Sequence, residues 1–166
     1  RCICGVVVQA AIDLLQTKID DGTIRAITGN DYKTSMASGE VIAAIAWSGD
    51  MLNDTDTYGF AVPESGGTLW TDNMLVPPLA DHKTNAERWM DFYYQPEVAA
   101  TVAAYVNYIC PVEGAQEAMA KVDPSQVDNP AIFPDAAMLS RVQVFMPLTD
   151  IQQASFEIKF SALSGA

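Results

Sequence analysis

Two tryptophans in this chain stand beside acidic corners: Trp47-Ser-Gly-Asp50, and Trp70-Thr-Asp72 at the end of Gly66-Gly67-Thr-Leu. An indole face attracts a cation through its ring quadrupole, and a nearby carboxylate gives charge-assisted hydrogen bonds to the same ammonium. The combination reads as a cage for an organic amine. Each residue also has a structural reading. Trp47 closes the apolar run Val41-Ile-Ala-Ala-Ile-Ala46 and fits a core position. Asp72 fits a turn carboxylate that bonds backbone amides, and Asp50 fits a helix N-cap better than a ligand contact.

Paired carboxylates allow a second chemistry. Asp50 with Asp72, or Asp72 with Glu64, flanked by sugar-stacking tryptophans, would suit a carbohydrate-active enzyme acting by acid and base. No other catalytic signature supports it: there is no Gly-x-Ser-x-Gly, no His beside a Ser or Cys, and no phosphate-binding Gly loop. The third reading is a non-catalytic structural fragment whose aromatics are ordinary core. Tyr58, Trp89, Tyr93 and Tyr94 are expected to be packing residues. His82, the one histidine, lies in the polar run Asp81-His-Lys83 and is expected at the surface rather than on a metal. Cys2-x-Cys4 lacks zinc spacing, and Cys110 beside Pro111 reads as a buried thiol or half of a disulfide. No catalytic residue, metal or cofactor is assigned.

Charge gives a direction. Nine Lys and Arg against twenty-one Asp and Glu leave a formal net charge of -12, which draws cations in and repels nucleic acid and anionic membrane surfaces. Acidity that merely keeps the chain soluble is the plain alternative. With 49% hydrophobic residues the 166-residue chain is rich enough to form a core, and no apolar run approaches the ~20 residues of a membrane span.

The elements that must hold these residues follow from local signals. Ala10, Ala11, Leu14, Leu15 and Ile19 recur at helical spacing and stop at Asp20-Asp21-Gly22. Thr23 to Ile27 reads as a strand, and Asn30-Asp31 as the cap of a helix through Met36 that Gly39 ends. Val41 to Trp47 is continuously apolar, which predicts a strand covered on both faces as in an α/β sheet, running into a polar corner where such sheets place ligands. Tyr58 to Val62 reads as another strand, Pro63 to Gly67 as its turn, and Thr68 to Val76 as an extended stretch ending at Pro77-Pro78. Helices are expected from Thr84-Asn-Ala-Glu87, from Pro96 through Val106, over Val112 to Val122, and from about Asp150 to Leu163, started by Thr149 or Asp150. Between them, Asp123 to Pro134 reads as a loop and Asp135 to Leu139 as a helical turn.

The order Gly39-Glu-Val, Ala44-Ile-Ala-Trp-Ser-Gly-Asp50, Pro63-Glu-Ser-Gly-Gly-Thr-Leu-Trp-Thr-Asp72 and Asn107-Tyr108 resembles the spermidine/putrescine-binding proteins of ABC importers, over residues 9–166. The resemblance implies an α/β chain that is part of a bilobal type II periplasmic-binding-protein fold, corresponding to its C-terminal half. On that pattern 9–71 belongs to the second lobe, 72–118 crosses into the first, and 119–166 returns to the second. Residues 1–8 do not resemble the family.

It further implies a periplasmic or lipid-anchored extracytoplasmic protein that binds putrescine or spermidine and hands it to an ABC transporter membrane permease, with no cofactor and no catalysis. Carried over by position, Trp47 and Trp70 are stacking walls, Asp72 holds an ammonium, and Tyr108 adds a ring or hydroxyl. Asp50 and Ser161 are further candidates, Ser161 standing where the family has an amide-type contact.

Overall fold

A computed structural model describes residues 5–52 and 56–165 and divides the chain into two compact units. In chain order the elements are α1 (Gly5–Asp20), α2 (Tyr32–Ala37), α3 (Ser48–Leu52), β1 (Gly67–Leu69), α4 (Lys83–Tyr93), α5 (Pro96–Val106), α6 (Ala115–Val122), a 3-10 turn (Pro124–Gln126), α7 (Ala136–Leu139), β2 (Val142–Val144) and α8 (Asp150–Ser164). Cys2 and Cys4 lie outside the described residues.

The first unit spans 1–45 and 146–166, and in it α1 packs against α8. The periodic apolar positions form α1 as expected, beginning at Gly5 and so including Val6 to Val8. Its end is fixed locally. Gly22 takes φ 79°, and the Asp21 carboxylate accepts from the Thr23 amide at 2.9 Å and pairs with the Lys18 ammonium at 2.9 Å. The Thr23 hydrogen bonds and then Lys18 hold the Asp21 carboxyl down to about 2. α8 starts with a reciprocal capping box: the Gln152 amide donates to Thr149 Oγ1 at 3.3 Å, and the Thr149 amide donates to Gln152 Oε1 at 3.0 Å.

The second unit spans 46–145. Its core lies where α5 meets α6. Ala99, Ala100 and Ala103 face Ala115, Ala118 and Met119, and these small side chains let the two helices approach closely while Met119 and Ile132 fill the remaining space. Pro96 opens α5 at a position whose amide has no helical partner. Cys110 is half-buried against both core clusters, its amide donating to Ile132 O at 3.0 Å; burial pushes its thiol pKa up, as befits a packing residue. Asp123 and Asp135 close the following turns through bonds from Ser125 N at 3.0 Å and Met138 N at 2.7 Å.

Strands are where expectation and structure part. Thr23 to Ile27, Val41 to Trp47 and Tyr58 to Val62 are not strands. Ile42 and Ile45 are almost fully exposed, at 99% and 103%. A strand needs a partner for its backbone ladder, and among the described residues none pairs with these segments. The one sheet described is β1 beside β2, parallel, with Gly67 opposite Val142, Thr68 opposite Gln143 and Leu69 opposite Val144. Among the described residues the chain is therefore mainly helical, with a small parallel sheet.

Two capping expectations also change. α4 begins at Lys83, one residue before Thr84, and His82 makes no side-chain cap bond; Asp31 precedes α2 without one either. An exposed Lys83–Glu87 pair at 3.5 Å supports α4 instead. Trp89 and Tyr94, expected to pack, are 69% and 57% exposed, with Trp89 against Phe92 at 6.4 Å.

Candidate functional site

Three rings of the second unit form a continuous row. Trp47 meets Trp70 edge to face with centroids 4.9 Å apart and planes at 67°, and Trp70 meets Tyr108 at 5.4 Å and 82°. Offset and edge-to-face contacts suit the ring quadrupoles and add about 0.5–1.5 kcal/mol per pair beyond burial. Trp47 is 46% exposed, so it is not the core tryptophan that its apolar run allowed. Trp70 and Tyr108 are half-buried.

Each ring is delivered by a different device. Trp70 follows β1, whose register is locked by the Pro63–Gly66 turn: the Gly66 amide donates to Pro63 O at 3.0 Å and the Gly67 amide to Arg141 O at 3.3 Å. Gly66 has φ 113°, and a Cβ there would stand 2.6 Å from Arg141 O, so both conformation and space demand glycine. Tyr108 follows Asn107, which ends α5 in the left-handed region at φ 55°, ψ 35°, with its amide on Ala103 O at 2.9 Å. Trp47 leads into α3, where buried Gly49 lies against the Tyr108 ring.

A groove of about 260 Å³ opens beside the row, lined by Leu69, Trp70, Thr71, Val144 and Phe145, at the carboxyl ends of the two parallel strands. Ligands bind at such strand ends in parallel α/β sheets. A larger hollow of about 480 Å³ lies on Met74, Leu75, Ala86, Trp89 and Met90; its lining is apolar and includes none of the three rings.

Of the acids, Asp50 is half-buried in the first turn of α3 beside Gly49, and Asp72 is exposed two residues beyond Trp70. Asp50 is the third residue of α3 rather than its N-cap, a position where a carboxylate still favours the helix N-terminus. Ser161 is exposed on α8 in the first unit, its carbonyl accepting from the Gly165 amide at 3.1 Å. Among the described residues no cluster of His, Cys, Asp and Glu could hold a metal ion, and no helix is long and apolar enough to cross a membrane.

Sequence reasoning missed two contributors. β2 and Phe145 supply one wall of the groove, and the alternation Val142-Gln-Val144 was their signal. In the sequence Gly49 is only part of a corner, because nothing there says what packs against it.

The site sits in a recognisable class. The family of bacterial extracellular solute-binding proteins matches residues 16–141, and the chain belongs to it. Among curated relatives, the putrescine-binding periplasmic protein PotF of Escherichia coli is 24% identical over 129 residues, covering 72% of this chain and 34% of that protein. The spermidine/putrescine-binding periplasmic protein of Salmonella typhimurium is 25% identical over 137 residues, 81% of this chain and 38% of the relative. A norspermidine sensor of Vibrio cholerae is 34% identical over 73 residues, 41% of this chain and 20% of the sensor. The match with the first two takes in only about a third of their length. No solved structure gives a significant match.

Proposed function

We propose that this chain is part of the extracytoplasmic solute-binding component of an ABC importer, and that it takes a polyamine such as putrescine or spermidine on the Trp47–Trp70–Tyr108 row. The observation that carries the reading is the row itself: three rings distant in sequence in edge-to-face contact, in a chain of net charge -12. The names of the relatives, which specify putrescine, spermidine and norspermidine, support the amine over a sugar. Membership of a solute-binding family favours transport over the paired-carboxylate enzyme.

The geometry refines how an amine would lie. A methylene chain sandwiched between two ring faces needs them about 7–8 Å apart, twice the optimal carbon contact. Rings 4.9 Å apart leave no such slot, so the alkyl chain lies along the outward surface of the row, towards the groove beside Trp70. Each ammonium over a ring contributes about 0.5–2 kcal/mol; in this reading Asp72 holds an ammonium, and Asp50 is a further candidate for the same role. In this reading the complete protein has the bilobal type II architecture, with 9–71 and 119–166 in the second lobe and 72–118 in the first, and its ligand-closed form docks on a membrane permease in the periplasm.

Calorimetry of the full-length protein with putrescine, spermidine and a neutral sugar tests this. Saturable heat with the amines is expected, abolished by Trp70→Ala and weakened by Asp72→Asn. No saturation at millimolar amine, or hydrolysis of a glycoside, overturns it. The 166-residue chain alone is expected to bind far more weakly, since a partial cleft cannot expel water from both ends of a diamine.

A further inference from the structure

Gly49 lies within the Trp47-Ser-Gly-Asp50 motif, yet neither the family resemblance nor the amine reading gives it a role, and its surroundings are unusual. It is buried in the first turn of α3, and a Cβ built on it would lie 2.7 Å from both Cε2 and Cζ of Tyr108 and closer still to the carbonyl oxygen of Val106, the last residue of α5. Its φ is not among the positive values that favour glycine, so the backbone there is open to any L-residue. Inside a helix alanine is the better former. Conformation therefore gives no reason for glycine at this position, and closeness gives one.

What lies so close is the hydroxyl end of a ring in the row. Tyr108 touches Trp70, Trp70 touches Trp47, and Trp47 stands two residues before Gly49 on the same strand of backbone. The contacts thus close on themselves: residues 47–49 carry the ring at one end of the row and the seat for the ring at the other. A side chain at position 49 meets both the Tyr108 ring and the end of α5, so either these two give way or α3 itself moves with Trp47, and each displacement shifts Tyr108 relative to Trp47.

We propose that Gly49 is a positioning residue of the amine site, setting the spacing of the aromatic row by admitting the Tyr108 ring against the backbone of α3. The proposal rests on the amine reading above for its functional consequence, and on the ring contacts alone for its geometry.

The test uses the full-length protein in three forms: unaltered, Gly49→Ala, and Met119→Ala, the last removing a fully buried core side chain of α6 as a stability control. Putrescine affinity is measured by calorimetry below the melting transition of each. The ligand-free proteins are compared by the far-ultraviolet exciton couplet that two indoles in contact produce. Gly49→Ala is expected to lower affinity by about tenfold or more and to shrink the couplet. Met119→Ala is expected to melt earlier and keep both.

A couplet and affinity unchanged by Gly49→Ala overturn the positioning role, as does an equal loss of affinity in Met119→Ala. Absence of heat from the unaltered protein overturns the amine reading instead, while the couplet still decides the geometry. Should Gly49→Ala fail to fold, the unaltered protein settles the matter by nuclear magnetic resonance. Cross-relaxation between the Gly49 α protons and the Tyr108 ring, with putrescine bound, is the expected result, and its absence sinks the proposal.

Discussion

Tyr108 reaches Trp70 because the residue before it leaves the helix in an uncommon way. Asn107 turns the end of α5 through the left-handed region, which asparagine tolerates better than most residues, and this aims the next side chain back across the unit. At the same scale, Asp21 gives a titration that can be checked directly. Its carboxyl sits at about 2 against an ordinary 3.8, through Thr23 and then Lys18. A depressed folded pKa means that the group's contribution is complete above the ordinary value and disappears as pH falls through the folded one. Carbon-detected titration of Asp21 should therefore give a midpoint near 2, with the end of α1 loosening only between about pH 4 and 2; a midpoint at the ordinary value contradicts the Lys18 and Thr23 contacts.

Elements were legible in proportion to how local their causes are. α1, α5 and α8 follow from periodicity, a proline at the first turn and a capping box, all within a few residues of the helix they specify. Val41 to Trp47 shows the opposite case. Its apolarity predicts a strand, yet apolarity does not provide a ladder partner, and Ile42 and Ile45 stand in solvent. β1 and β2 form because the Gly66-Gly67 turn brings Arg141 within bonding distance, about 75 positions away in sequence, which no local pattern announces. Gly66→Ala tests that joint. A φ of 113° and a Cβ 2.6 Å from Arg141 O should destabilise the second unit by about 1–3 kcal/mol and lower putrescine affinity through displacement of Trp70; a denaturation midpoint and affinity equal to the unaltered protein would contradict it.

For the whole molecule, the dominant fact is a charge of -12, which produces a field attractive to amines at long range. Surface charge acts mainly on encounter and is screened beyond about 10 Å at 0.1 M salt. Association of spermidine should therefore slow more steeply than that of putrescine as salt rises, because it carries more positive charge, while dissociation changes little. Stopped-flow measurement across ionic strengths checks this, and equal salt slopes would assign the acidity to solubility alone.

By itself the sequence determined the sign of the field, the main helices with most of their ends, the membership of a solute-binding family, and the identity of the three aromatic residues. Those properties arise from composition and from interactions reaching a few positions along the chain. Only the tertiary structure decided that Trp47, Trp70 and Tyr108 touch, that they meet edge to face rather than as parallel walls, and that a glycine seats the last of them. Such contacts join segments tens of residues apart, and ring orientation is set by the packing around each side chain, which neither residue type nor spacing contains.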